Sequence, residues 1–147
     1  MVRVAAQPAR RPASRHPGIR CNLSLMRSLH IIRRGQPVAL ANDADALALP
    51  LDGVERVDLH FPSFTDGRAF SQAFLLRRRR GFAGDIRATG DVLIDQLVQM
   101  QRTGFSAAVL REGVDAADAQ RQFERFPGFY QGDAVNPQPL FAARAAA

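Results

Sequence analysis

"VERVDLHFPSFTDGRAFSQAFLLRRRRG" (Val54–Gly81) changes period once, in the middle. From Val54 to Phe61 apolar and polar residues alternate. Val57, Leu59 and Phe61 fall on one face of a strand, and Asp58 and His60 on the other. From about Gly67 to Arg80 the spacing becomes helical. Phe70, Ala73, Phe74 and Leu76 share a face, and Gly81 supplies a C-terminal stop. A strand, a tight polar turn and a helix make the first half of a βαβ unit.

The unit repeats downstream. "DIRATG" (Asp85–Gly90) reads as a strand, and Asp91 as the N-cap of a helix over Val92–Thr103 with Leu93, Leu97 and Met100 on one face. Gly104 stops that helix, and "FSAAVL" (Phe105–Leu110) is the next strand. Asp115 caps "AADAQRQFERF", where Ala119, Phe123 and Phe126 share a face, and Pro127-Gly128 ends it. Upstream, "PVALAN" (Pro37–Asn42) predicts a short strand ending in Asn42-Asp43, a turn or N-cap signal, and "ADALALPL" a short helix ended by Pro50. Strands alternating with helices predict an α/β fold: a small open parallel sheet of about four strands built from βαβ units, flavodoxin-like or half-barrel-like. One domain is expected over residues 36–132. Residues 133–147 show no period, and Pro137 and Pro139 predict an extended C-terminal tail.

The net charge of +6 does not belong to that domain. Residues 1–34 hold eight arginines and no acid, while the other twelve arginines face all fourteen acids. Prolines at 8, 12 and 17 and the lack of a helical period before Leu23 predict a disordered Arg-rich tail over 1–34. It is similar to an organellar transit peptide. An arginine-for-lysine coding bias explains it better, since the chain contains no lysine. Met26 reads as an alternative start, with Leu29, Ile31 and Ile32 as a first short strand. No run approaches the ~18 apolar residues of a membrane span. A single cysteine, Cys21, and three scattered histidines give neither an internal disulfide nor metal-ligand spacing, so no metal is assigned and a cytoplasmic setting is expected. The arginine run Arg77–Arg80 ends a helix, spreads over all its sides and lacks interleaved aromatics; it reads as a solvated helix end, not a nucleic-acid surface.

Ligands of open parallel sheets bind beyond the carboxyl ends of strands. Two polar turns lie there, "SFTDGR" (63–68) and "ATGD" (88–91). Asp66, Gly67, Arg68, Ser71 and Gln72 are expected to face Thr89, Gly90 and Asp91 across one crevice. The glycines would let backbone approach a ligand, helix N-termini would offer N–H groups to an anion, and Arg68 would grip an oxyanion. The alternative is that Asp66 and Asp91 cap helices while Arg68 pairs with one of them. Arg87, inside a strand expected to be covered on both faces, needs a partner such as Asp58 or Asp95. GxGxxG and GxxxxGK[ST] are absent, as is GxSxG; His60 and Ser63, close in sequence, are a weak base–nucleophile pair. One thiol cannot ligate an iron–sulfur cluster. No cofactor is therefore predicted, with a flavin or nicotinamide nucleotide as the open alternative.

"FPSFTDGRAFSQAFLLRRRRGFAGDIRATGDVLIDQL", the "GF" at 104–105 and "FYQGDAVNPQPLF" together resemble a bacterial family known as domain-of-unknown-function family 934, over roughly residues 36–141. Members typically read FPKFTDGRGYS, then ELRAVGDVLRDQL, then a YQ…QPLF ending. They are commonly described as oxidoreductases of sulfite reduction, because their genes lie beside those of sulfite reductase. The resemblance thus implies a place in sulfur assimilation rather than a reaction. This chain departs from the pattern in having His60 where members often have Asp, Phe70 where Tyr is frequent, and an Arg-rich tail in place of a longer structured upstream segment.

Three functions follow: an accessory protein of assimilatory sulfite reduction with a sulfite-reduction enzyme as partner, a small oxyanion- or nucleotide-binding α/β protein or enzyme, or a non-catalytic interaction module. Leu140 and Phe141, large apolar residues in a polar tail, are the expected docking residues, onto the chain's own body or a partner.

Overall fold

The computed structural model describes residues 3–6, 37–126 and 128–145. Its centre is a parallel sheet. β2 (Pro37–Leu40), β3 (Arg56–Phe61), β4 (Asp85–Gly90) and β5 (Ala107–Leu110) lie side by side in chain order. A further strand, β1 (Arg3–Ala6), pairs parallel to β5 at the edge, with Arg3 opposite Ala107. The expected tail over 1–34 otherwise lies outside the described residues, as do the strand at Leu29–Ile32 and Cys21. In Arg3–Ala6 a strand stands where a tail is expected, and it supplies the edge of β5 with backbone partners.

The register is continuous across the middle of the sheet, from Arg56 opposite Asp85 to Phe61 opposite Gly90. The alternation in β3 and β4 therefore sums to one apolar face. Val57, Leu59, Phe61, Ile86, Ala88 and Ala108 are all fully buried there. α1 (Arg68–Arg78) and α2 (Leu97–Thr103) cover that face. Strands that succeed one another in the same direction by right-handed crossovers carry their helices on the same side. From β2 to β5 no reversal of direction occurs, which is the half-barrel order.

The other face carries Arg56, Asp58, His60, Asp85, Arg87 and Thr89, each at least partly exposed. The expectation that Arg87 is covered on both sides is corrected here. Its strand has one apolar and one polar face, so the arginine stands on the polar one.

α1 approaches the sheet through small residues. Ala69, Gln72, Ala73 and Leu76 are buried, whereas Phe74, expected on this face, is 43% exposed. Phe70 meets Phe61 edge-on at 5.1 Å and Phe105 at 6.1 Å. The arginine run ends differently from expectation. Arg77 turns inwards and donates to three carbonyls: Gly104 O at 2.8 Å, Phe82 O at 2.6 Å and Gly84 O at 2.7 Å. Arg80 donates to Leu47 O.

Three other local expectations change. Residues 44–51 form successive turns instead of a helix. The Asp45 carboxylate accepts from Leu47 N at 2.8 Å, which offers the backbone a non-helical partner, and Pro50 prevents extension. The second helix starts late. Leu93 is extended, one 3-10 turn spans Ile94–Gln96, and α2 follows. Asp91 thus lies too far upstream to cap it. The third helix, α3 (Ala116–Glu124), is capped as expected by Asp115, which accepts from Ala117 N at 2.9 Å. Finally, residues 140–145 form a short helix, α4 (Leu140–Ala145), where an extended tail is expected. Pro139 sits just before its first turn, where its missing N–H costs nothing.

Candidate functional site

The two polar turns meet, but not as one crevice. Asp91 N donates to Phe61 O at 2.8 Å, Phe64 N donates to the Asp91 carboxylate at 3.0 Å, and Gln96 Nε2 donates to Phe64 O at 2.9 Å. These bonds stitch the β3–α1 loop to the loop after β4. The other oxygen of Asp91 pairs with Arg111. Asp91 is therefore a joint between loops. Arg111, which sequence reasoning did not single out, completes it.

Gly90 has φ +88°, and a Cβ there would come within 2.3 Å of Phe61 O and 2.6 Å of the His60 ring. The glycine lets β4 lie against β3, so its open side is filled by protein and not by a ligand. Gly67 has φ −83° and open space around it, so nothing demands glycine at that position. Thr89 Oγ1 lies 3.3 Å from Leu59 O and 3.4 Å from His60 Nδ1. Ser63 Oγ pairs with Thr65 Oγ1 at 2.9 Å, so the structure does not couple it to His60.

Arg87 finds the partner expected of it. Asp58 lies directly opposite in the register; its Oδ1 accepts from Arg87 Nε at 2.9 Å, and its Oδ2 from Arg87 Nη2. Arg56 Nε adds a third bond, at 3.1 Å to Asp58 Oδ1. One carboxylate holds two guanidinium groups on the polar sheet face, a cross-strand network that fixes the register of β3 against β4.

The remaining predicted residues gather elsewhere, beside the end of β2. Arg68 clasps Asp66, with Nη2 to Oδ2 at 2.7 Å and Nε to Oδ1 at 3.1 Å. The Arg68 side chain holds the Asp66 carboxyl down at about 2, below its ordinary 3.8. Asp66 Oδ2 also accepts from Asn42 Nδ2 at 2.7 Å. Gln72 is only 5% exposed and donates to Ala41 O at 2.8 Å and Ala44 O at 2.9 Å. Asn42, Arg68, Ser71 and Gln72 border an open depression of about 310 Å³ that also touches Asp43 and Asp45. In sequence Asn42 and Asp43 read as a turn or N-cap signal, because the approach of α1 to that turn is a tertiary fact.

At the far side of α2, Arg102 anchors the C-terminal segment. Its guanidinium stacks on Phe129 at 4.2 Å, its Nη2 donates to Gln131 O at 3.2 Å, and Ala134 N donates to Arg102 O at 2.9 Å. Leu140 N donates to Tyr130 O at 3.1 Å, and the Tyr130 and Phe141 rings lie 5.5 Å apart. The two expected docking residues are thus held in place and remain open: Leu140 is 39% exposed and Phe141 57%.

Residues 37–141 match the model of a family described as "Bacterial protein of unknown function (DUF934)". The chain belongs to this family. No curated protein and no solved structure shows a match to it. The DUF934 match begins at the first residue of β2 and ends inside α4, so it takes in the four central strands, both candidate polar turns and the docking pair. Phe70 packs its ring against those of Phe61 and Phe105. Among the described residues no helix is long and apolar enough to cross a membrane. Among the same residues, no group of three or more His, Cys, Asp or Glu side chains is placed to hold a metal ion.

Proposed function

We propose that this chain is an accessory protein of assimilatory sulfite reduction, acting in the cytoplasm by contact with an enzyme of that process. The pathway rests on the family resemblance. The mode of action rests on one observation: an anchored C-terminal segment presents Tyr130, Val135, Leu140 and Phe141 to solvent next to exposed Phe126. Aromatic side chains on a rigid base are the usual anchors of protein interfaces, and burying each large apolar side chain contributes about 1.5–3 kcal/mol. The charged groups of the predicted crevice offer less. Asp66 is spent on Arg68, Asp91 on Arg111, and Asp58 on Arg87.

The test has two arms. Tagged chain should co-purify with a sulfite reductase component, and a strain lacking the chain should grow poorly on sulfate but normally on cysteine. Normal growth on sulfate together with no co-purification rejects the proposal.

A second reading, a small-ligand site, rests on the open depression of about 310 Å³ beside the end of β2, which Arg68, Ser71 and Gln72 border. A thermal-shift screen with sulfite, sulfate, adenosine phosphosulfate, NADPH and flavins examines the nucleotide and oxyanion versions of that reading.

A further inference from the structure

A cavity of about 320 Å³ lies between α2, the end of α3 and the C-terminal segment. Four side-chain amides line it: Gln101 from α2, and Gln131, Asn136 and Gln138 from the C-terminal segment. None of the four amides makes a hydrogen bond to another described residue. Nor are they sealed away, since Gln131, Asn136 and Gln138 are exposed and Gln101 is half-buried. The segment that carries three of them is already closed on itself. Asp133 N donates to Asn136 O at 2.8 Å, and Asp133 Oδ1 accepts from Val135 N at 2.9 Å and Asn136 N at 2.6 Å. A Cβ at Gly132 would meet Pro137 O at 2.3 Å. A loop preformed in this way spares a ligand the entropy of ordering it.

The chemistry of the cavity is neutral. Its one carboxylate, Asp133, is engaged by those two backbone N–H groups and faces Arg102, whose Nε lies 3.5 Å from Oδ2. Aromatic rings complete the wall. Phe126 and Phe129 lie 6.3 Å apart with planes 51° apart, so they form a corner and not a closed stack. Phe126 is 55% exposed, and a flat aromatic ring can lie on its open face. The amides add a directional demand, for a donor and an acceptor side by side. Adenine offers N7 as acceptor beside N6 as donor, the edge that Asn and Gln amides match bidentately. Guanine presents two acceptors there, N7 and O6.

We propose that this cavity binds the adenine ring of a nucleoside or nucleotide, stacked on Phe126 and read at its edge by the amides of Gln131 and Asn136. Arg125, with its guanidinium 5.8 Å from the centre of the Phe126 ring, makes no ion pair with another described residue and is available to a phosphate. The site goes beyond the docking function above: Tyr130, Val135, Leu140 and Phe141 are not among its walls. It also shares no residue with the depression beside β2.

The experiment titrates the ¹⁵N-labelled full chain with adenosine, AMP, guanosine and ribose 5-phosphate, following the side-chain NH₂ signals of Gln101, Gln131, Asn136 and Gln138. Saturable shifts with adenosine are expected, at lower concentration than guanosine requires and without a matching response to ribose 5-phosphate. Phe126→Leu should weaken adenosine binding about ten-fold by removing the stack. Gln131→Ala with Asn136→Ala should also weaken it about ten-fold and bring adenosine level with guanosine. Both variants should fold, since Phe126 is largely exposed and the hydrogen bonds at 131 and 136 run through backbone atoms.

AMP that saturates the site at lower concentration than adenosine supports the proposal with a nucleotide as source. Equal or weaker binding of AMP supports it with a nucleoside as source. No saturable shift with adenosine overturns the proposal and leaves the four amides to water. Guanosine that binds the parent chain as tightly as adenosine overturns it too, as do variants that bind adenosine like the parent and ribose 5-phosphate that reproduces the AMP shifts. Shifts of the Asn42 and Gln72 amides in place of these would assign the ligand to the depression beside β2, and overturn it equally. Docking is read by co-purification through Leu140 and Phe141, so either proposal can fail alone.

Discussion

Arg68 opens α1 with its side chain 60% exposed and its guanidinium on the carboxylate of Asp66. Arg77, in the last turn of the same helix, points into the protein and donates to the backbone of Phe82, Gly84 and Gly104. The residue type and the helix are the same; the surroundings are not. Arg68 meets a charge in water, where an ion pair contributes little. Arg77 meets three carbonyl oxygens that would otherwise be short of donors, and burial pulls its pKa down from the ordinary value. Arg77 ties the end of α1 to the start of β4 and the end of α2. The stabilising arginine is therefore the one that donates to backbone carbonyls, with Asp85 adding charge attraction.

The comparison can be broken most directly at Arg77. Arg77→Ala leaves three carbonyls without their donor and should destabilise the protein by about 3 kcal/mol, lowering Tm by about 10 °C. Arg77→Lys keeps the charge but loses the planar fork, and should recover less than half of that loss. Denaturant midpoints of both variants are the measurement. A loss for Arg77→Ala no larger than that for Arg68→Ala would end the distinction between the two ends of α1.

Gly104 sharpens it. Its φ is +109°, and an added Cβ would lie 2.4 Å from Arg77 Cγ. Gly104→Ala should cost about 2 kcal/mol, part backbone strain and part clash. In an Arg77→Ala background the clash disappears, so the same substitution should cost about half as much. Equal costs in both backgrounds would show that the two residues do not bear on each other.

The sequence shows why α1 and the strands form, and much less of what the ends of α1 do. Alternation in Val57–Phe61 and the helical period after Gly67 are local, and the βαβ order follows from them. So does the capping role of Asp115, which needs only its next two residues. Asp91 looks like the same signal, but Phe64 and Arg111 claim its carboxylate first, and both arrive by tertiary packing. Arg77 belongs to a run of four arginines that read alike in sequence. Only the turn that brings back Gly84 and the packing of Gly104, 27 residues away, single it out. Residues 44–51 carry helix-forming alanines and leucines, yet an Asp45 turn and the buried amide of Gln72 hold them in turns. That Asp66, Arg68, Ser71 and Gln72 are neighbours on one turn and helix start is legible locally. That they lie beside Asn42–Asp45 is not, because α1 meets that turn only by tertiary packing.

The C-terminal segment gives a smaller effect on stability. Leu140 and Phe141 are exposed on an anchored segment, so Leu140→Ala with Phe141→Ala should change unfolding free energy by less than about 1 kcal/mol. The same double variant should abolish co-purification with a sulfite-reduction protein. A large loss of stability would mean that the pair packs on the chain's own body.

The smallest effect lies at Arg68. Its hydrogen bonds hold the Asp66 carboxyl at about 2, against 3.8 for an unperturbed aspartate. A carboxyl whose pKa is depressed on folding contributes stability that is fully present above its unfolded value. That contribution is lost as pH falls from about 3.8 towards about 2, where the native carboxyl also takes up a proton. The pair is solvent-exposed, so salt should weaken it and the contribution to stability should be slight. The pKa itself is the sensitive readout. In ¹³C-detected titrations the Asp66 carboxyl should titrate at about 2 in the parent chain and move up towards 3.8 in Arg68→Ala. Asn42→Ala should raise it less, since the Asn42 amide is the weakest of the causes that lower it. An Asp66 carboxyl that stays low without Arg68 would assign the depression to the surrounding backbone, and Arg68 would then be available to a ligand after all.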